Sequence, residues 1–168
     1  NSDGSTEIET LSFDVDGDMA PDLYCTHLAA ESNTLYIGKN NAFLDSTAPL
    51  GLGVASMPRT GFGVVARDFN RDGREDLLVG NGRVTRGPEV VLPSLGDPWN
   101  GMAEPNDLYL RSGSGFELAP KDPVLSEVGL TRAVVAGDFD RQGQLEVLIV
   151  NVETPSILVT PPKSDARE

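Results

Sequence analysis

Nine residues, Asp68-Phe69-Asn70-Arg71-Asp72-Gly73-Arg74-Glu75-Asp76, constrain this chain more than any other stretch, because they set oxygen-bearing side chains at positions 1, 3, 5 and 9 of a short loop. That spacing builds a cage for a hard cation. Calcium takes roughly six to eight oxygens from carboxylates, amides, backbone carbonyls and water. Asp68, Asn70, Asp72 and Asp76 would supply side-chain oxygens, the Arg74 carbonyl is the expected fifth ligand, and Gly73 permits the sharp turn. An EF-hand shares the first half of this spacing but needs a bidentate Glu at position 12 and flanking helices. Position 12 is Val79, and the flanks Gly63-Val64-Val65-Ala66 and Leu77-Leu78-Val79 are short apolar runs that read as strands. The loop therefore joins two strands.

The same frame recurs at Asp14, Asp16, Asp18 and Asp22, with the Ala20 carbonyl at position 7 and Met19 in place of the turn glycine. It recurs again at Asp138, Asp140, Gln142 and Glu146, with Gln144 at position 7. Ligand chemistry ranks the second loop first, the first loop second and the third last, since Gln142 is neutral and Glu146 is a longer arm. Asp, Asn and Gly also favour turns without any metal, and a single such loop could be a solvated acidic turn. Three in register argue against that. The flanks repeat as well: Val64-Val65-Ala66-Arg67-Asp68-Phe69-Asn70 answers Val134-Val135-Ala136-Gly137-Asp138-Phe139-Asp140. Further on, Asn33-Thr34-Leu35-Tyr36-Ile37, Asn106-Asp107-Leu108-Tyr109-Leu110 and Pro155-Ser156-Ile157-Leu158-Val159 correspond. Each unit reads as strand, acidic loop, strand, link, strand and a weaker fourth strand, such as Ala42-Phe43-Leu44 or Gly115-Phe116-Glu117-Leu118. Four antiparallel strands per repeat is the pattern of a propeller blade.

These residues resemble the FG-GAP or VCBS repeat of integrin-α-type β-propellers. The longer second unit, with Gly80-Asn81-Gly82, an insertion and then Asn106-Asp107-Leu108-Tyr109-Leu110, is similar to the repeats that precede ASPIC/UnbV domains, although nothing after Val159 reads as that domain. The resemblance implies an all-β propeller fold and calcium held by Asp68, Asn70, Asp72 and Asp76 and by Asp14, Asp16, Asp18 and Asp22. Met19, Gln142 and Glu146 depart from the family pattern.

Unit boundaries follow from the repeat: blade 1 over 1–50, blade 2 over 51–128 with an insertion at 83–105, a partial blade 3 over 129–160, and a tail at 161–168. The link Thr47-Ala48-Pro49-Leu50-Gly51-Leu52-Gly53 reads as a turn region between blades. The insertion is rich in Pro and Gly and carries the only tryptophan, Trp99, which is the expected partner anchor or sugar platform unless it folds back onto its own blade. Closed propellers have roughly four to eight blades, so three leave two open ends. The expectation is a ring completed by a protein partner or by other copies of the chain.

The chain has 13 basic and 26 acidic residues and a net charge of −13, which speaks against nucleic acid or an anionic membrane surface as a partner. Much of that excess sits in the loops, where it is repulsive unless a divalent ion neutralises it. Cys25 is the only cysteine and lies in an apolar run, so it reads as a small buried hydrophobe, and His27, the only histidine, reads as structural or surface. No run of 18 apolar residues and no apolar leader is seen, and the polar start Asn1-Ser2-Asp3-Gly4 suits a mature or shortened chain. Weak calcium sites of the extracellular kind, with Kd on the order of 10⁻⁴ to 10⁻³ M, point to an extracellular, periplasmic or otherwise exported setting. With no nucleophile elbow, histidine metal motif or phosphate loop in the sequence, the expected function is a non-catalytic calcium-binding module for protein contact. The alternatives are a structural subunit of a larger complex and a calcium-dependent glycan-active enzyme, which would make a glycan the partner.

Overall fold

In the computed structural model, which describes residues 6–87, 95–120 and 125–161, each acidic loop joins the first two strands of a separate antiparallel sheet. Blade 1 is β1 (Glu7–Phe13), β2 (Asp22–His27), β3 (Thr34–Lys39) and β4 (Ala42–Asp45), hydrogen-bonded in that order. Blade 2 is β5 (Gly61–Arg67), β6 (Asp76–Asn81), β8 (Asp107–Ser112) and β9 (Gly115–Leu118). Blade 3 has three strands, β11 (Thr131–Gly137), β12 (Glu146–Asn151) and β13 (Ile157–Val159). A two-residue ladder of β7 (Glu104–Pro105) with β10 (Val128–Gly129) ties the end of the insertion to the entry of blade 3. This ladder straddles the 128/129 boundary between units and has no periodic signature in the sequence. The fold is all-β, an array of propeller-type blades.

The blades stack face to face, with the innermost strands β1, β5 and β11 side by side. Gly63 makes one of these approaches possible: a Cβ there would stand 2.5 Å from the Val134 backbone nitrogen of β11. Because side chains alternate along a strand, the middle blade faces both neighbours, and β6 is buried along its whole length. Leu77 and Val79 join Tyr24 and Leu35 in the core between blades 1 and 2, whereas Leu78 joins Val134, Val147 and Ile149 in the core between blades 2 and 3. This explains why Leu77-Leu78-Val79 is a continuous apolar run and not an alternating one.

The inter-blade link is more than a turn. Leu52 is fully buried in the first core with Leu50 packed beside it, and the Phe116 N–H donates to the Leu50 carbonyl at 2.8 Å, so the link clips onto the outer strand of blade 2. Two asparagines do the same job in successive blades. Asn33 Oδ1 accepts from the His27 N–H, and Asn106 Oδ1 from the Asn81 N–H, both at 2.9 Å, each capping the end of a second strand. Cys25 and His27 are buried, with Cys25 Sγ accepting from the Thr10 hydroxyl at 3.6 Å and His27 Nε2 3.2 Å from the Thr34 hydroxyl. Burial pushes the Cys25 thiol up, which keeps it an inert core group. Part of the insertion (88–94) and the tail after Pro161 lie outside the described residues.

Candidate metal centres

All three loops are wound by the same set of bonds from backbone N–H to side-chain oxygen. The carboxylate at position 1 accepts from the N–H groups of positions 5 and 6: Asp18 and Met19 onto Asp14, Asp72 and Gly73 onto Asp68, Gln142 and Gly143 onto Asp138. Position 3 accepts from the N–H of position 5 in each loop, through Asp16, Asn70 and Asp140. Position 5 accepts from that of position 7 in the first two, Asp18 from Ala20 at 2.8 Å and Asp72 from Arg74 at 3.0 Å. These short side chains compete well with regular secondary structure, and here they impose the turn. Two residues per loop are left-handed: position 4, as Gly17, Arg71 and Arg141, and position 6, as Met19, Gly73 and Gly143. The sequence pattern identified the second of these turns and missed the first.

Position 9 is tied to the loop backbone in each blade. Asp22 and Asp76 are fully buried and act as braces. Asp22 accepts from the Val15 N–H at 2.7 Å and, from the third strand, the Gly38 N–H at 2.8 Å. Asp76 accepts from Phe69 at 2.9 Å and Asn70 at 3.2 Å within the loop and from Arg111 on β8 at 2.7 Å. Burial raises the Asp76 carboxyl above its usual range, against the pull of these three N–H groups. Glu146 accepts from Phe139 and Asp140, at 2.9 and 3.1 Å. The third-strand position that matches Gly38 and Arg111 is Pro161, which has no N–H to give.

The acidic oxygens that the fold gathers within 4.8 Å of one another are those of Asp14, Asp16 and Asp18, all exposed, and those of Asp138, Asp140 and Glu146. The second loop, ranked first on its sequence, is arranged differently. Arg74 Nη2 lies 2.7 Å from Asp72 Oδ2, and the same guanidinium donates to the carbonyls of Gly113 and Arg111, clipping the loop to the β8–β9 turn. The hydrogen bond from Arg74 holds the Asp72 carboxyl below the usual range. A cation entering there displaces an exposed, solvent-screened ion pair. In the first loop one oxygen each of Asp16 and Asp18 is used by the backbone, leaving the other oxygen of each without a protein donor among the described residues. That all-oxygen, all-acidic set fits a hard divalent cation.

The first loop also walls a cleft of about 640 Å³ between blades 1 and 2, with Arg74, Glu75 and Arg111 opposite Asp14 and Asp16. Arg111 bridges the two blades: it donates to the Val15 carbonyl at 3.1 Å and lies over the Phe116 ring, 4.8 Å from its centre. Burial lowers the Arg111 guanidinium, an effect that neighbouring Arg74 adds to. Trp99 stands in a short 3-10 turn, Trp99–Gly101, half-buried against the small core of Leu95, Ala103 and Leu130.

Antiparallel blades of four, four and three strands among the described residues, stacked through their faces and each with an acidic loop between its first two strands, define a propeller-type repeat protein. Residues 14–79 match the family profile of the FG-GAP-like repeat. The chain is similar to cartilage acidic protein 1 of Mus musculus, 30% identical over 136 residues that make up 79% of this chain and 18% of the relative. The Homo sapiens and Xenopus tropicalis proteins of the same name are each 28% identical, over 79% of this chain and 17% and 18% of their own lengths. The chain thus spans under a fifth of these relatives. No helix among the described residues is long and apolar enough to cross a membrane.

Proposed function

We propose that the chain is a calcium-stiffened FG-GAP module that works through protein–protein contact in an exported setting, without catalysis of its own. The observation that carries this reading is the convergence of Asp14, Asp16 and Asp18 at an exposed loop that their own backbone bonds already hold in shape. Asp14, Asp16, Asp18 and the Ala20 carbonyl would hold the ion, and Asp138, Asp140 and Glu146 a weaker one. Calcium supplies charge neutralisation: like charges this close cost stability in a chain of net charge −13 until a cation offsets them. The engagement of loop carboxylates with backbone N–H groups supports a structural use for them. The cartilage setting in the names of the relatives supports an exported one. The half-buried Trp99 in the insertion is the proposed anchor for a protein partner.

The test is a thermal melt with calcium and with chelator. Calcium is expected to raise Tm, and Asp16→Asn with Asp18→Asn is expected to shrink that rise, since the variant has lost carboxylates of the first loop. A melt indifferent to calcium overturns the reading.

A further inference from the structure

The first acidic loop is shaped in part by the neighbouring blade. Val15 stands at position 2, between Asp14 and Asp16, and both of its backbone groups are engaged. Its N–H donates to the Asp22 brace of its own blade at 2.7 Å, and its carbonyl accepts from Arg111 Nη2 of blade 2 at 3.1 Å. Arg111 in turn is fixed to the second loop. Its N–H donates to Asp76 Oδ1 at 2.7 Å, and its carbonyl accepts from Arg74 Nη2 at 3.1 Å. The guanidinium lies over Phe116, which is buried in the core between blades 1 and 2. Burial and Arg74 lower this guanidinium, while Asp16 and Asp22 act in the opposite sense, which sets two acids of the first loop in its field.

The repeat shows that this support is particular to the first loop. Along the shared register, the third-strand position of Arg111 is Gly38 in blade 1 and Pro161 in blade 3. Gly38 has no side chain to send to another blade, and a Cβ there would run into the Pro21 carbonyl oxygen. Pro161 has neither an N–H nor a donor side chain. Phe69, which matches Val15 in the second loop, therefore takes no such bond from position 161 of blade 3.

We infer that Arg111 is a positioning residue for the first cation site, so that an ion held by Asp14, Asp16 and Asp18 of blade 1 also locks blade 1 against blade 2. This role rests on the calcium reading above and gives that site a neighbour to act on. Two effects of Arg111 compete. Its charge repels a divalent ion, and its hydrogen bond fixes the backbone between two ligands. Asp14, Asp16 and Asp18 are all exposed, so water and salt screen the repulsion, and the planar guanidinium fork makes the hydrogen bond directional. Positioning therefore wins. Outer partners that orient metal ligands contribute roughly 10- to 100-fold to metal affinity, and a bond to the backbone one residue from each ligand belongs at the low end. Coupling is reciprocal: an ion that Arg111 helps to hold strengthens the grip of Arg111 on blade 1 by the same factor.

The test is amide exchange, read by mass spectrometry along a calcium titration, on Asp72→Ala protein so that the second loop is out of play. Calcium is expected to slow exchange in the first loop, 14–20, and in the β8–β9 turn, 111–116, with one shared midpoint. Arg111→Lys keeps the charge and loses the fork, and Arg111→Gln loses both charge and reach. Each is expected to move the first-loop midpoint to about tenfold higher calcium and to uncouple the turn from it. An unchanged midpoint in both variants overturns the inference, because Arg111 would then tie the blades together without regard to the ion. So does a midpoint that falls in Arg111→Gln and stays in place in Arg111→Lys, since repulsion would then be all that the ion feels. Both of these results leave calcium bound and the earlier reading intact, whereas a first loop that calcium never protects removes the two together.

Discussion

Leu77 and Leu78 are neighbours in the chain and lie in different hydrophobic cores, one shared with blade 1 and the other with blade 3. Both are fully buried, so truncating either to alanine is expected to cost about 2 to 5 kcal/mol. The consequences should separate by place. Leu78→Ala removes contacts to Val134, Val147 and Ile149, and amide exchange should accelerate in β11 and β12. Leu77→Ala faces Tyr24 and Leu35, and exchange should accelerate in β2 and β3. Hydrogen exchange read by mass spectrometry distinguishes these patterns, and the same pattern for both variants would mean that the two cores melt as one.

Within a loop, positions 5 and 9 should answer differently to calcium. Asp76 accepts three backbone N–H groups, and Asp76→Asn turns an amide NH2 toward at least one of them. A buried backbone donor left without an acceptor costs about 1 to 3 kcal/mol, and that loss should be the same in calcium and in chelator. Asp72→Ala removes an exposed ion pair with Arg74, a turn bond and an exposed bond from the Asn70 amide, so in chelator it should change little. In calcium it should lower Tm. Equal losses under both conditions for Asp72→Ala would show that no ion uses this loop.

The blades were legible in the sequence because their pattern is periodic. The apolar runs at Val64-Val65-Ala66 and Leu77-Leu78-Val79, the loop frame and the third strands Leu35-Tyr36 and Leu108-Tyr109 all fall where the spacing puts them. What the spacing could not tell was which oxygen faces which partner. Position 9 reads as a ligand, yet its burial and its bonds to Gly38 or Arg111 depend on a third strand far along the chain. Arg74 was read only for its carbonyl, while its side chain reaches Asp72 and the β8–β9 turn. The β7–β10 ladder is two residues long and carries no periodicity at all.

Asp107 gives the fold a pH dependence opposite in sign to ordinary acid denaturation. It is buried beside Arg59 at 2.8 Å and takes a hydrogen bond from Asn81, with Glu104 and Tyr109 close by. Burial outweighs the pull of Arg59 and pushes its carboxyl up to about 6. A carboxyl raised in the folded state favours folding fully below its unfolded value of 3.8 and loses that contribution as pH rises to about 6. At roughly 1.4 kcal/mol per pH unit, the loss is about 3 kcal/mol. Denaturant melts from pH 4 to 8 should show the wild-type chain falling relative to Asp107→Asn, with the gap levelling off about one unit above 6. A gap that stays flat across the window would place Asp107 in its ionised form throughout.

The first loop carries a strain that the other two avoid at the same position. Met19 is left-handed at φ 66°, where Gly73 and Gly143 sit at 86° and 77°, and its side chain is 92% exposed. A Cβ in this region costs about 1 to 2 kcal/mol, and an exposed methionine offsets little of it by packing. Glycine brings back an unfolded-state entropy cost of about 0.5 to 1 kcal/mol, so Met19→Gly should stabilise the chain by under about 1 kcal/mol. Gly73→Met should do the reverse by a similar amount, since nothing lies within 4 Å of a Cβ at Gly73 and only the backbone objects. Urea midpoints in chelator read both changes free of any ion. A loss of stability in Met19→Gly would mean that the methionine side chain makes a contact worth more than its backbone strain.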